Sequence, residues 1–348
     1  MSDARRLYRI EGVPVLQNRV FNTAAEAREC VRGNVTLVQD SMTGLVFNEE
    51  FEPGILHYDQ NYNNEQSLSP AFQQHLAGVE LIVERHLGRT NLMEVGCGKG
   101  YFLDMLQSKG FDIEGCDPTY EGSNPKIRTE FFNAALGIRG KNIILRHVLE
   151  HIPDPVGFLR QLAEANGDGR IYIEVPCFDW ILNHRTWFDV FYEHVNYFRL
   201  ADLQRMFSRV HESGRIFGSQ YLFIVADLAT IQMPRADGDW VEFPSDFLSS
   251  LYSSPAPMGD VVWGAASKGV IYSLLRERMG MPVDIAVDIN TTKQGKYMPT
   301  TGVEIFSPEE FMDSERKGCR ICVMNSNYLA EIKNLTHHHY HYMAIDHD

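Results

Sequence analysis

Long apolar runs are missing from this 348-residue chain, and no stretch reaches the length that spans a bilayer. Positive charge is scarce: 32 Lys and Arg stand against 46 Asp and Glu, a net charge of −14. That balance argues against nonspecific nucleic-acid binding or an anionic membrane surface as the main partner, because both are themselves negative. It leaves room for an anionic nucleotide held by local donors. Cysteine is sparse and scattered (Cys30, Cys97, Cys116, Cys177, Cys319, Cys322), which suggests no disulfide framework. Cys319-Arg-Ile-Cys322 has the spacing of a metal or redox pair. It lacks a second Cys/His pair and alternates like a strand, so a core strand is the favoured reading. His337-His-His-Tyr-His341 reads as a solvated or edge segment, and no metal is expected. The N-terminus, Met-Ser-Asp-Ala-Arg-Arg, shows no apolar signal region, so a cytoplasmic location is expected. Internal repeats and low-complexity linkers are also lacking.

What is present is a strand–turn–helix pattern of unusual composition. Glu94-Val-Gly-Cys-Gly-Lys-Gly100 follows the apolar run Asn91-Leu-Met and precedes Tyr101-Phe-Leu-Asp-Met-Leu, which has helical spacing. Glycine lacks a Cβ and tolerates positive φ, so such a turn lets a ligand approach the backbone and meet free N–H groups. The spacing is Glu-x-Gly-x-Gly-x-Gly, not the Gly-x-Gly-x-x-Gly of dinucleotide folds. It resembles the first motif of class I S-adenosyl-L-methionine (SAM) methyltransferases. Phe111-Asp-Ile-Glu-Gly-Cys-Asp117 reads as the next strand, and an acid at its end can accept both hydroxyls of a ribose. Asn142-Ile-Ile-Leu-Arg-His-Val-Leu-Glu-His151 looks like the fourth strand of that fold and its Leu-Glu-His turn. Asp154 and Pro155 then open an amphipathic stretch to Leu162, and Arg170 to Pro176 reads as a buried strand stopped by proline.

The organisation expected is α/β throughout. A small β-rich lobe covers residues 1–56, without zinc cysteines. A SAM-binding, Rossmann-like methyltransferase domain covers 57–230, with a helix starting at the Ser69 cap and Pro70 and running to about His86. A helix-containing connection covers 231–259. A smaller α/β domain with nucleotide-binding topology covers 260–348, opening on Val261-Val-Trp-Gly-Ala-Ala-Ser-Lys268-Gly269. That second turn lacks the full dinucleotide glycine pattern, so NAD binding is disfavoured.

After Pro176 the chain turns aromatic and polar: Trp187-Phe-Asp-Val-Phe-Tyr192-Glu193-His194-Val-Asn-Tyr197-Phe198. This stretch follows the fifth strand, at the sheet edge where ligands bind, and histidine is the side chain best suited to move protons near neutral pH. With the aromatic segment Tyr58 to Ser69, the Glu94 loop, Arg146 to His151, Gly264 to Gly269, Asp288-Ile-Asn, Lys293-Gln-Gly-Lys-Tyr297 and Met324-Asn-Ser-Asn-Tyr328, the chain resembles the SAM-dependent sugar C-methyltransferases over nearly its whole length. The resemblance implies SAM over Glu94, Gly96, Cys97, Gly98 and Gly100, with ribose on Asp117 and with Tyr58, Arg146 and His147 beside the cofactor. It implies a sugar site holding Glu193 and His194, with His194 as base and Tyr192 or Tyr62 as donor to an enolate oxygen. It further implies Tyr197, Lys268, Lys296 and Tyr297 around a nucleotide-linked sugar. The chemistry would be proton removal next to a ketone, then in-line attack of the carbanion on the SAM methyl.

Two departures stand out. The family's N-terminal zinc lobe has two Cys pairs where this chain keeps only Cys30, so no structural zinc is expected. Many relatives carry a Tyr three residues before the His, where this chain has Phe191. An O-methyltransferase on a sugar or small polar metabolite is the alternative activity. A non-catalytic SAM or nucleotide binder is the alternative of another class.

Overall fold

The computed structural model describes residues 4–57, 67–133, 140–314, 316 and 318–346. The chain opens on strands β1 (Ala4–Pro14), β2 (Arg32–Asp40) and β3 (Val46–Asn48). Next come β4 (Leu92–Val95), β5 (Ile113–Cys116), β6 (Ile127–Arg128), β7 (Asn142–Arg146) and β8 (Arg170–Pro176). A short β9 (Asn196–Tyr197) precedes β10 (Val210–Ile216) and β11 (Tyr221–Asp227). The last part contributes β12 (Asp260–Trp263), β13 (Ile285–Val287), β14 (Ile305–Phe306), β15 (Arg320–Val323) and β16 (His341–Ala344).

These strands form three sheets. The central one runs β10-β11-β8-β7-β4-β5-β6, and all its pairings are parallel except the two made by β11. Counted from β4, that is the order 3-2-1-4-5-7-6 with the seventh strand reversed, the layout of a class I methyltransferase core. The strands read as near-continuous apolar runs because helices cover both faces. All of β4, and β8 apart from its two end residues, is buried.

The helix Pro70–Leu87 forms where the cap signals put it. The Ser69 side chain accepts from Phe72 N, Pro70 sits at the first position, and Gly88 ends it at φ 79°. Phe72, Leu76, Val79, Val83 and Leu87 recur at helical spacing on its buried face. The helix Pro155–Asn166 starts on Asp154, whose carboxylate accepts from Gly157 N at 2.9 Å.

β1, β2, β3 and β9 make the small sheet, so the N-terminal lobe is completed by a strand from the aromatic segment. Cys30 is a free thiol. Ile10, Val13, Val35 and Leu37 share one apolar cluster with Trp187, Phe188 and Tyr192, and this packing ties the lobe to the core.

The C-terminal sheet, β14-β13-β12-β15-β16, is wholly parallel with β12 at its centre. The helix Ser267–Arg278 follows β12 through a turn so tight that a Cβ on Gly269 would overlap the Gly264 carbonyl. Cys322 lies buried in β15 and Cys319 just before it, as the strand reading expects. His337, His338, His339 and His341 are exposed, the last on edge strand β16.

The connection 231–259 differs from expectation. Among the described residues it contains one 3-10 turn, Ser249–Tyr252, and no α-helix. Its Pro and Ser content favours turns, and it lies along the N-terminal lobe, where Phe243 stacks on Tyr8 and Phe247 meets the same ring edge-on. No helix of the described residues is long and apolar enough to cross a membrane.

Candidate active site

The ends of β4, β5, β7 and β8 face the C-terminal sheet across a cleft of about 1130 Å³. A volume that large exceeds the roughly 300–1,000 Å³ typical of a single small-ligand pocket. One wall is the glycine loop. Gly96 takes φ 75° and Gly98 φ 56°. A Cβ at Gly96 would overlap Val148, whereas nothing lies within 4 Å of a Cβ at Gly98, so Gly98 leaves backbone open to a ligand. Gly100, at φ 82°, caps the helix Tyr101–Ser108 and does not line the cleft. It keeps a turning role rather than a contact role, because a Cβ there would meet Ile127 and Tyr120.

Asp117 sits at the end of β5 and closes this loop. Its Oδ2 accepts from Gly98 N at 2.8 Å, and its Oδ1 accepts from Thr119 N at 2.8 Å and Thr119 Oγ1 at 2.7 Å. Glu94 is buried at the cleft wall, and burial pushes its carboxyl up to about 7 against the pull of Arg146. Its Oε2 has no hydrogen-bond partner among the described residues. Cys97 lines the cleft, and burial raises its thiol well above the usual value, so it stays protonated.

Beneath the loop lies a buried network built on Glu174 of β8, a residue the sequence reading did not assign. Its carboxylate meets His75 Nε2 and His147 Nε2, each at 3.0 Å, Arg146 Nη2 at 3.3 Å and the Tyr172 hydroxyl at 2.7 Å. Arg146 also lies over the Phe102 ring at 4.7 Å. Burial alone would raise the Glu174 carboxyl, but Arg146, His147 and His75 hold it well below the usual range. Burial likewise pulls the His147 imidazole down, and Glu150 and Glu174 reverse this, raising it to about 9.

The His147 shift carries a stability prediction. A raised imidazole stabilises the fold fully below its unfolded value near ~6.5, and the contribution is lost as pH rises through about 9. Midpoints of urea unfolding should therefore fall across that window. The fall should be absent in His147→Gln, and an unchanged profile in that variant would remove His147 as the cause.

The floor of the cleft holds His151 and His194, with ring centroids 4.9 Å apart. His151 Nδ1 donates to the Glu193 carbonyl at 2.8 Å, which leaves Nε2 to face outward as an acceptor. His194 packs on Phe191 at 4.1 Å, and its ring nitrogens make no hydrogen bond among the described residues. Burial, then His151, His147 and Lys268, hold it well below the ordinary histidine value, so it is neutral near pH 7. Glu150 is 2% exposed, neither carboxylate oxygen is hydrogen-bonded, and Oε1 forms an ion pair with the His147 imidazole at 3.5 Å.

Several expected contacts lie elsewhere. The Tyr192 hydroxyl accepts from Glu52 N at 2.7 Å, so this ring anchors the N-terminal lobe instead of facing the cleft. Glu193 is buried and accepts from Gln17 N at 3.0 Å. The Tyr197 hydroxyl is engaged by the Phe191 main chain, at 3.1 Å to both N and O. Tyr297 bridges to Phe21 and Glu304, and Lys296 is part of the same strap between lobes; neither lines the cleft. Tyr192 and Glu193 lie in a turn before the short β9, so successive side chains leave it in different directions, and of Tyr192, Glu193 and His194 only His194 lines the cleft. Lys268 does line the cleft, but its ammonium is paired with Asp189 at 2.7 Å and lies over Trp180 at 4.8 Å. Tyr58 and Tyr62 lie outside the described residues.

The residues that sequence reading missed are Glu150, His151, Glu174 and His75. Leu149-Glu150-His151 was visible as a turn after β7, and Glu174 as a lone acid inside the apolar run Ile171 to Val175. A charge in a buried strand is a signal in its own right.

Comparison with known proteins gives a family match and several partial likenesses. Residues 67–210 match a family model described as a methyltransferase domain. A relative from Streptomyces niveus, the C-methyltransferase NovU, is 26% identical over 282 residues, 67% of this chain and 66% of its own. The chain thus spans just under two thirds of that relative's length. Solved structures that overlay on part of the chain include ChlM, the magnesium protoporphyrin IX methyltransferase of Synechocystis PCC 6803. It is 18% identical, with a TM-score of 0.34, over 48% of this chain and 86% of the other. The 1,6-didemethyltoxoflavin-N1-methyltransferase of Burkholderia thailandensis is 15% identical, with a TM-score of 0.34, over 53% and 95%. The sheet order, the Glu94–Gly100 turn with Asp117, and the matched family model lead to one conclusion: the chain carries a class I methyltransferase domain whose cofactor is S-adenosyl-L-methionine.

Proposed function

We propose that the chain moves the SAM methyl group to a carbon of a nucleotide-linked sugar, after a base removes a proton next to a ketone. The observation that carries this reading is the shared cleft. The glycine loop, His151, His194 and the C-terminal residues Ser267, Lys268 and Lys293 all line one space of about 1130 Å³, room for a second ligand beside SAM. In this reading SAM lies over Gly96 and Gly98 with its ribose on Asp117, and Glu94 Oε2 accepts from the SAM ammonium. His194 takes the proton. Glu150, ion-paired with His147 and within 4.8 Å of the His194 ring nitrogen, adds negative charge beside the imidazole as it becomes cationic. His151 is the group nearest to steer the enolate oxygen. The relative named as a C-methyltransferase supports carbon over oxygen as acceptor.

The test is hydrogen exchange. Incubated in deuterium oxide without SAM, a panel of nucleotide-linked ketosugars should include one that gains deuterium at the carbon next to the ketone. The exchange should depend on the enzyme. Methylation of a panel member without any such exchange would favour transfer to a hydroxyl oxygen.

A further inference from the structure

The cleft floor has a second chemical capacity. Glu150, His151 and His194 each present one ligand-type atom, and these atoms lie within 4.8 Å of one another. Two features set the group apart from a chance cluster. Glu150 is 2% exposed and neither carboxylate oxygen is hydrogen-bonded; its ion pair with His147, at 3.5 Å through Oε1, leaves capacity on the carboxylate for a further partner. His151 donates its Nδ1–H to a main-chain carbonyl, that of Glu193, at 2.8 Å. This outer bond fixes the tautomer and turns the Nε2 lone pair outward, as it does for histidines that hold metals. The His194 ring nitrogens stay free of hydrogen bonds among the described residues, so that imidazole can turn either nitrogen inward.

We propose that Glu150, His151 and His194 form a binding site for one borderline divalent cation of the Zn²⁺ class, and that a cation seated there blocks methyl transfer. Two imidazoles and one carboxylate suit such an ion, and a short contraction brings the three donors to its coordination distances. The fourth position opens onto the cleft. Inhibition follows from electron-pair bookkeeping: the lone pair that His194 would give to a proton is given to the metal, and no other bond changes. Binding stands on geometry alone, whereas inhibition rests on the base role proposed for His194.

The test uses the full chain, freed of metal by chelator dialysis and titrated with Co²⁺ as a visible-absorbing probe. One Co²⁺ should bind with a d–d band, and Zn²⁺ should displace it. Glu150→Gln and His151→Ala should each weaken binding by at least the roughly 10–100-fold that loss of an outer-shell partner costs, while His339→Ala, in the exposed C-terminal histidine run, leaves it unchanged. If His151→Ala fails to fold for want of its bond to Glu193, His194→Ala must show the same loss, since that ring gives up no hydrogen bond. Absence of a band, a band that survives these variants, or one lost in His339→Ala would overturn the site. Zn²⁺ should also stop methyl transfer, reversibly with chelator. A cation that binds as described without affecting transfer would leave the site standing and remove His194 as base.

Discussion

His194→Ala is expected to lower methyl transfer by roughly 10²–10⁴-fold while leaving SAM affinity within about twofold. The size follows from what positioned proton transfer usually contributes, and the split follows from place. His194 packs on Phe191 and His151, whereas Gly96, Gly98 and Asp117 form the hydrogen-bonded loop assigned to the cofactor. Its ring makes no hydrogen bond among the described residues and packs on Phe191 and His151, so truncation removes a base without unbuckling a network. Exchange of the sugar proton should vanish in parallel with turnover. Calorimetric SAM binding beside a turnover assay checks both halves. Full turnover with normal SAM binding would remove His194 from the chemistry. His151 then becomes the base to test, with its outward Nε2 set by the Glu193 carbonyl.

Glu174→Gln is expected to be the most destabilising single change in the cofactor domain, at about 3–5 kcal/mol, because removing one partner leaves buried opposite charge uncompensated. Glu174 is fully buried, and Arg146, His147 and His75 converge on it with side chains 9%, 25% and 3% exposed. Glutamine keeps the shape and some hydrogen bonds but cancels the charge that stabilises three cationic or protonatable partners. The sign with pH also follows. The Glu174 carboxyl is held well below its usual range, so its contribution is present above the unfolded value near ~4.3 and is lost as pH falls below it. Acid unfolding should therefore be steep in the native chain and shallower in Glu174→Gln. SAM affinity should fall as well, since Arg146 and His147 line the cleft. Urea unfolding monitored by tryptophan fluorescence, repeated from acid to neutral pH, reads the effect. A loss under 1 kcal/mol would show that Glu94 or Glu150 can replace the charge.

Much of the fold was legible because local chemistry and tertiary packing agree. Ser69-Pro70 caps the helix it was expected to cap, Asp117 ends the second strand of the core, and Pro176 closes the fifth. The glycine loop was legible for the same reason, since its positive φ values admit little besides glycine. The catalytic surroundings were harder to read. Tyr192, Glu193, His194 and Tyr197 are adjacent in sequence, yet β9 and the turn before it send their side chains in different directions, and only His194 lines the cleft. Which face a side chain takes there depends on pairing with β3, a contact nearly 150 residues away in sequence that no local pattern reveals. Lys268 was legible as a cleft residue, but its partner Asp189 was not, because the pair joins segments far apart in sequence. Glu174 was visible as an acid in an apolar run, but its role comes from the groups that converge on it, and Glu150 sits in the turn after β7, where an acid is ordinary.

The central claim is transfer of the SAM methyl group to a sugar carbon. Its most direct test is carbon NMR of products formed from ¹³C-methyl SAM and a panel of nucleotide-linked ketosugars. The account predicts one product whose labelled methyl carbon is bonded to a sugar carbon next to the ketone, formed by the native chain and not by His194→Ala. A labelled methyl on a hydroxyl oxygen, or no labelled sugar from any panel member while SAM binds normally, would contradict it.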